Sequence, residues 1–213
     1  MNVLVIGAGG LIGKKIVKIL AESNQHLVRS MICKAEQMEE MEKLGSKAIL
    51  ADLGQDFSFT MNDVNAVIFA DEPDTSADPG NMITIGQEGA KKAADFAKEK
   101  EIERFVLLSA LGTNTPGKAP PALQPYLDAK KAAEEHLMKS KLNFTIVRSG
   151  RLTNEPGTGM IGLTTQGSPM GGAISREDAA RVLVESLLAK GTEGKSFEIV
   201  SGSIPIKEAL KQV

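Results

Sequence analysis

Tyr126 and Lys130 carry the sharpest chemical signal in this chain. They stand four positions apart in the run YLDAKKAAEEHL, a spacing that puts both side chains on one face of a helix. An ammonium beside a phenol favours the phenolate. A tyrosine prepared in this way can hand a proton to a carbonyl oxygen, or take one from an alcohol, near neutral pH. The lysine can also hold a ribose hydroxyl. Taken alone, the spacing fits a surface tyrosine beside a solvated lysine equally well, so its weight comes from its context. Ser109 closes the apolar run RFVLLS, at a strand end where a hydroxyl could hold a substrate carbonyl. The plain alternative for Ser109 is a small residue that packs there.

The context is set at the start of the chain. Gly7-Ala8-Gly9-Gly10-Leu11-Ile12-Gly13 follows the apolar run VLVI and opens a helical pattern. Gly7 permits a sharp turn, Gly10 lets the backbone approach a pyrophosphate, and Gly13 allows a helix to pack closely on a strand. The helix N-terminus then offers unpaired N–H groups to the phosphates. A dinucleotide site is expected over Gly7 to Gly13. An acid about 20 residues on would bind the ribose 2′-hydroxyl of NAD. This chain has Cys33 and Lys34 there, and no acid before Glu36. Lys34, with Lys14 or Arg29 as helper, could meet a 2′-phosphate, which favours NADP over NAD; the alternative is that these cations are solvated. Asp52, with Leu53, could contact the adenine edge, or simply start a turn before Gly54.

These residues need a βαβ framework, and the chain alternates short β-branched apolar runs with longer helical patterns in the way that builds a parallel sheet. Strands are expected at 3–6, 27–32, 48–50, 66–70, 104–108, 144–147 and 197–200. Helices are expected at 11–21, 36–44, 87–100, 126–139, 176–188 and 207–213. Ser175 reads as the N-cap of the helix at 176–188, with Asp178 at its third position. The proline-rich stretch 114–125 reads as a loop. The stretch 150–175 carries little periodicity, and its segment from Gly157 to Gly172 fits a substrate lid or a passive crossover. No boundary interrupts the pattern, so residues 1–213 are expected to form one doubly wound α/β domain.

Composition excludes several classes. The chain has 213 residues, 42% hydrophobic, with 25 basic and 27 acidic side chains. That is too apolar for a disordered chain. The charge balance provides no field for a phosphate backbone, so no nucleic-acid partner is expected. A single cysteine excludes an intrachain disulfide and a CxxC metal site. No apolar run approaches the ~20 residues of a membrane span, and the N-terminus reads as a strand rather than a signal peptide. A cytoplasmic protein, monomer or homodimer, acting on a small molecule is expected, with no metal.

Several segments together carry a family resemblance: GAGGLIG at 7–13, ADL at 51–53, RFVLLSAL at 104–111, YLDAKKAAEEHL at 126–137, FTIVRSGRLTNEPGTG at 144–159 and ISREDAA at 174–180. Over almost its whole length the chain resembles the atypical short-chain dehydrogenase/reductases, specifically the small bacterial NmrA-like NAD(P)H-binding members. The resemblance implies a Rossmann-like fold, a nicotinamide dinucleotide and hydride transfer to or from a small carbonyl or alcohol. It also implies that the segment Arg148 to Leu152, with Ser149 and Arg151, lies beside the nicotinamide. Where this chain departs from the pattern, Cys33 replaces a common arginine, Ser149 a common proline and Gly86 a frequent aspartate. Ala70-Asp71-Glu72-Pro73-Asp74 brings three acids close to where phosphates or the nicotinamide ribose would lie. Those acids cost cofactor affinity unless they point outward or pair with Lys or Arg. They motivate an alternative, a non-catalytic NADP-binding redox sensor; epimerase or dehydratase chemistry fits the Tyr–Lys pair as well. Among the remaining polar residues, Glu134 and Glu135 read as a solvated helix face, and His26 and His136 as ordinary surface residues. Met38 and Met41 read as core filling.

Overall fold

The computed structural model describes residues 1–72, 79–165 and 171–213, with the backbone alone over 79–85. Expectations that rest on Pro73, Asp74 or residues 166–170 of the glycine-rich stretch lie outside the described residues.

The opening run forms β1 (Asn2–Ile6), followed by α1 (Leu11–Glu22), β2 (Leu27–Ile32), α2 (Met38–Lys43) and β3 (Lys47–Leu50). Next come β4 (Ala66–Phe69), α3 (Pro79–Glu99), β5 (Arg104–Ala110), α4 (Gln124–Lys139) and β6 (Phe144–Ser149). Three short strands follow, β7 (Arg151–Thr153), β8 (Met160–Thr164) and β9 (Ala173–Ser175). Then come α5 (Arg176–Leu188), β10 (Lys195–Ser201), β11 (Ile204–Pro205) and α6 (Ile206–Leu210). The main sheet has the order β11-β8-β10-β6-β5-β4-β1-β2-β3, and β7 pairs with β9 in a separate ribbon. From β3 across to β10 every pairing is parallel; β8 then runs antiparallel to β10, and β11 to β8. This is a Rossmann-like α/β fold. Its chain order reverses between β1 and β4, which opens a crevice at the carboxyl ends of those strands.

The two faces of the sheet explain the unbroken apolar runs. Alternate residues of a strand point to opposite faces, and here both faces are covered. Val3 and Val5 pack with Ile12, Ile16 and Leu183 on the α1/α5 side, while Leu4, Ile6, Phe69 and Leu107 meet Ala93, Ala97, Ala133 and Leu137 of α3 and α4.

The structure differs from the sequence expectations where local pattern is weak. α4 begins at Gln124, two residues before Tyr126, because Pro125 suits a helical first turn. The expected 114–125 loop contains short 3₁₀ turns at Pro116–Lys118 and Pro121–Leu123. The helix expected over 36–44 splits into a 3₁₀ turn at Ala35–Gln37 and α2. The aperiodic 150–175 stretch holds three strands, with β8 formed through its pairing with β10. Ser175 does cap α5, its Oγ accepting from the Asp178 N–H at 3.0 Å.

Candidate active site at the carboxyl end of the sheet

The glycine turn is built by close approach. Gly7 has φ +83°, and a Cβ added there would lie 2.8 Å from the Ala70 carbonyl oxygen and 2.9 Å from the Asp71 Cα. A Cβ on Gly13 would lie 2.1 Å from the Gly7 carbonyl oxygen, so any side chain there would force the turn open. Gly10 is the N-cap of α1 in an extended conformation; no side chain caps the helix and its first turn has no acid. The leading amides are therefore left for an anion, and the helix dipole favours one. On this observation the turn fits a diphosphate. Ala8 and Ile12 are buried beneath it, while Leu11 is exposed at its mouth. Gly9 lies under the carboxamide of Gln37, whose Nε2 donates to the Gly9 carbonyl at 3.3 Å. Gln37 was not among the residues singled out from the sequence.

At the exits of β2 and β3 the structure corrects part of the expected cation set. Lys14 is engaged with Glu40 at 2.7 Å. The Arg29 guanidinium reaches the Asn62 carbonyl and lies 3.8 Å from Asp63, at the amino ends of the strands and away from the glycine turn. Arg29 is thus not placed to help Lys34, which is exposed like Cys33, whereas Lys14 is held only in a surface pair. Asp52 accepts the Gly54 N–H at 2.8 Å, the hydrogen bond of a turn-starting aspartate. Leu53 packs on α3 at Gly89.

The Tyr–Lys pair meets the glycine turn. The Lys130 Nζ stands 5.8 Å from the Tyr126 ring centroid and donates to the carbonyls of Leu108 at 3.4 Å and Asp71 at 3.3 Å. Since Asp71 backs directly onto Gly7, the end of β5, the exit of β4 and the turn share one crevice. Burial raises the Asp71 carboxyl above the usual aspartate range; Lys130 opposes this and Glu72 adds to it. Asp71 Oδ2 lies 3.1 Å from where a Gly86 Cβ would stand. Two departures from the family pattern thus fit each other, because an aspartate at 86 would meet the carboxylate of Asp71. Glu72 pairs with Arg176 at 3.2 Å, one of the two ways the acidic segment was expected to be tolerated.

Beneath the pair lies a polar cluster centred on Glu134, which the sequence pattern had placed on a solvated helix face. Glu134 is 2% exposed, not on a solvated face. It accepts from the hydroxyls of Ser109 and Thr113 and from Arg148, whose Nε and Nη2 reach its carboxylate at 3.1 and 2.7 Å. The Ser109 hydroxyl is thus donated inward to Glu134. The position of Glu134, one turn beyond Lys130 on the same face, was the available signal. Glu198 faces Arg148 in register on β10 and accepts from Asn114 at 3.3 Å. Burial raises its carboxyl above the usual range, Arg148 and Asn114 pull it down, and Glu134 pushes it up. Ser149 is buried, its Oγ 3.4 Å from the Ser109 carbonyl. Arg151 is exposed, with its N–H donated to the Gly172 carbonyl at 3.0 Å. Met41 is core, whereas Met38 is 36% exposed. His136 is half-buried and bonds to Asp95 at 2.7 Å.

The sequence profile of an NAD(P)H-binding family matches residues 7–190, from the glycine turn into α5. The chain belongs to this NAD(P)H-binding family. Among proteins of similar sequence, the "Uncharacterized sugar epimerase YhfK" of Bacillus subtilis is 35% identical over 216 residues, covering all of both chains. A solved structure from Bacillus halodurans, provisionally described as an NAD-dependent epimerase/dehydratase, superposes with a TM-score of 0.95 at 32% identity over the full length of both chains. The oxidoreductase ylbE of Lactococcus lactis superposes with a TM-score of 0.87 at 26% identity, covering 100% of this chain and 96% of its own. The descriptions of these similar proteins span oxidoreductase and epimerase. Among the described residues no helix is long and apolar enough to cross a membrane.

Proposed function

We propose that this protein is an NAD(P)-dependent oxidoreductase of the short-chain dehydrogenase/reductase type, acting on a small carbonyl or alcohol. One observation carries the reading: Lys130 stands over the Tyr126 ring while bonding to the carbonyl of Asp71, which packs on Gly7. Acid–base group and diphosphate cradle therefore open into the same crevice. A bound nicotinamide would supply or accept the hydride. Tyr126 gives its phenolic proton to the substrate carbonyl oxygen, or takes one from the alcohol. Lys130, fixed by two backbone carbonyls, presents its ammonium to the ring and to a ribose hydroxyl. Ser149 and Arg151 flank the substrate side. Ser109 sets the end of β5 through Glu134 and is not assigned a direct contact with substrate. Lys34 is the cation we place at an adenosine 2′-phosphate, which makes NADP the cofactor and NAD the alternative.

The test is a screen of small aldehydes, ketones and quinones with NADPH and NADH, repeated with Tyr126→Phe. Turnover is expected to fall by roughly 10² or more in that variant, the scale of lost acid–base catalysis; unchanged turnover refutes the role of Tyr126. A second reading, a dinucleotide sensor without turnover, is favoured by the commitment of the Ser109 hydroxyl to Glu134. Saturable NADPH binding with no turnover on any substrate would select it. Epimerase-type chemistry draws on the same Tyr–Lys pair and on the descriptions of the two Bacillus relatives.

A further inference from the structure

Arg176, the first residue of α5, holds an ion pair that joins three distant segments. Its Nε lies 3.2 Å from Glu72 Oε2, and its Nη1 lies 2.9 Å from Asn154 Oδ1 and 3.4 Å from the Leu152 carbonyl oxygen. Its Nη2 has no acceptor among the described residues. Glu72 and Arg176 are mostly buried, at 19% and 17% side-chain exposure. This is too enclosed for an incidental surface pair, and their separation of 104 residues excludes a helical i,i+4 contact.

The location gives the pair its meaning. Glu72 follows Asp71, whose Cα abuts Gly7 and whose carbonyl receives Lys130. Leu152 and Asn154 belong to the segment leaving β6. α5 packs alongside α1. Next to Arg176, the Glu177 carboxyl is held below its usual range chiefly by the Arg181 hydrogen bond, with the charge of Lys15 on α1 adding to this. Through Glu72 the Arg176 guanidinium is thus held beside Asp71, the residue that both backs Gly7 and receives Lys130, next to the interval a dinucleotide's diphosphate must cross. An acid in that interval repels a diphosphate, whereas an arginine can bind one through two parallel N–H···O bonds.

We propose that Arg176 is a diphosphate-binding residue restrained by Glu72. An incoming dinucleotide exchanges its diphosphate for the Glu72 carboxylate on the guanidinium, and Asn154 and the Leu152 carbonyl keep the arginine aimed during the exchange. Glu72 thus sets cofactor affinity by competing for Arg176. The proposal rests on the dinucleotide reading given above.

The experiment titrates wild type, Glu72→Gln and Arg176→Gln with NADH and NADPH, read by nicotinamide fluorescence and calorimetry. Glu72→Gln is expected to lower Kd about threefold or more for both dinucleotides, because it removes the competitor and one repelling charge. Arg176→Gln is expected to raise Kd about tenfold, the scale of one charge-assisted hydrogen bond lost to a ligand, and to flatten its salt dependence. A gain of affinity cannot arise from misfolding, so Glu72→Gln decides. Kd unchanged or raised in Glu72→Gln, with wild type binding normally, overturns the exchange whatever Arg176→Gln does. Failure of wild type to bind either dinucleotide overturns the dinucleotide reading itself.

Discussion

Replacing Glu134 by leucine removes the acceptor that three elements share. The carboxylate receives Ser109 from β5, Thr113 from the following loop and Arg148 from β6, and all four residues are at most 7% exposed. Leucine fills nearly the same space with no acceptor, leaving a guanidinium and two hydroxyls buried without their anion. Breaking a buried pair in this way costs about 3–5 kcal/mol. For a chain of this size each kcal/mol shifts Tm by about 2–4 °C, so Glu134→Leu is expected to lower Tm by roughly 10 °C. Arg148→Met is expected to lose a similar amount, since it strands the carboxylate instead. The double variant Glu134→Leu/Arg148→Met is expected to recover most of the loss, because the buried pair is then removed whole and only Glu198 loses the cation it faces. The assay is thermal and denaturant unfolding of the four proteins. A loss below about 1 kcal/mol in Glu134→Leu, or strictly additive losses in the double variant, would refute the reasoning.

Other perturbations probe the turn and the titrating groups. Gly13→Ala puts a Cβ 2.1 Å from the Gly7 carbonyl oxygen, so the turn must open; calorimetric titration with NADPH is expected to show Kd raised about tenfold or more, as displaced charge-assisted hydrogen bonds require. Glu198 is held, chiefly by burial, above the ordinary glutamate value of 4.5. The folded chain keeps this proton after the unfolded chain has released it, so its contribution is full below 4.5 and lost as pH rises through the raised folded value. The stability of Glu198→Gln relative to wild type, from denaturant unfolding at about pH 4 to about pH 8, should therefore grow with pH, and a constant difference would falsify the assignment. Lys34→Gln is expected to weaken NADPH binding while leaving NADH binding nearly unchanged, and parallel titrations check this.

Local constraints made part of this architecture readable in the amino-acid sequence. The glycine turn was legible because its backbone angle and its contacts with Ala70 and Gly7 admit no Cβ. Tyr126 and Lys130 were legible because helical spacing alone puts them on one face. Glu134 was not: α4 also carries Asp128, Lys131 and Glu135, and which acid turns inward depends on Arg148 of a later strand. Arg29 was misassigned as a 2′-phosphate partner for a related reason, its guanidinium turned to the amino ends of the strands. Residue type marks a cation, but its direction is set by Asn62 and Asp63 across space. β8 escaped notice because five residues with a central glycine carry little pattern, and their strand identity comes from β10. Arg176 lay inside a recognised motif, yet nothing local showed that it reaches Glu72.

The amides opening α1 are expected to hold a diphosphate so that the nicotinamide comes to rest beside Tyr126. A crystal structure of the protein grown with NADPH tests it most directly. The diphosphate is expected against the backbone of Gly10 to Gly13, and the nicotinamide ring between the Tyr126 hydroxyl and the 149–152 segment. A dinucleotide bound elsewhere, or one whose nicotinamide turns away from Tyr126 into solvent, would contradict it.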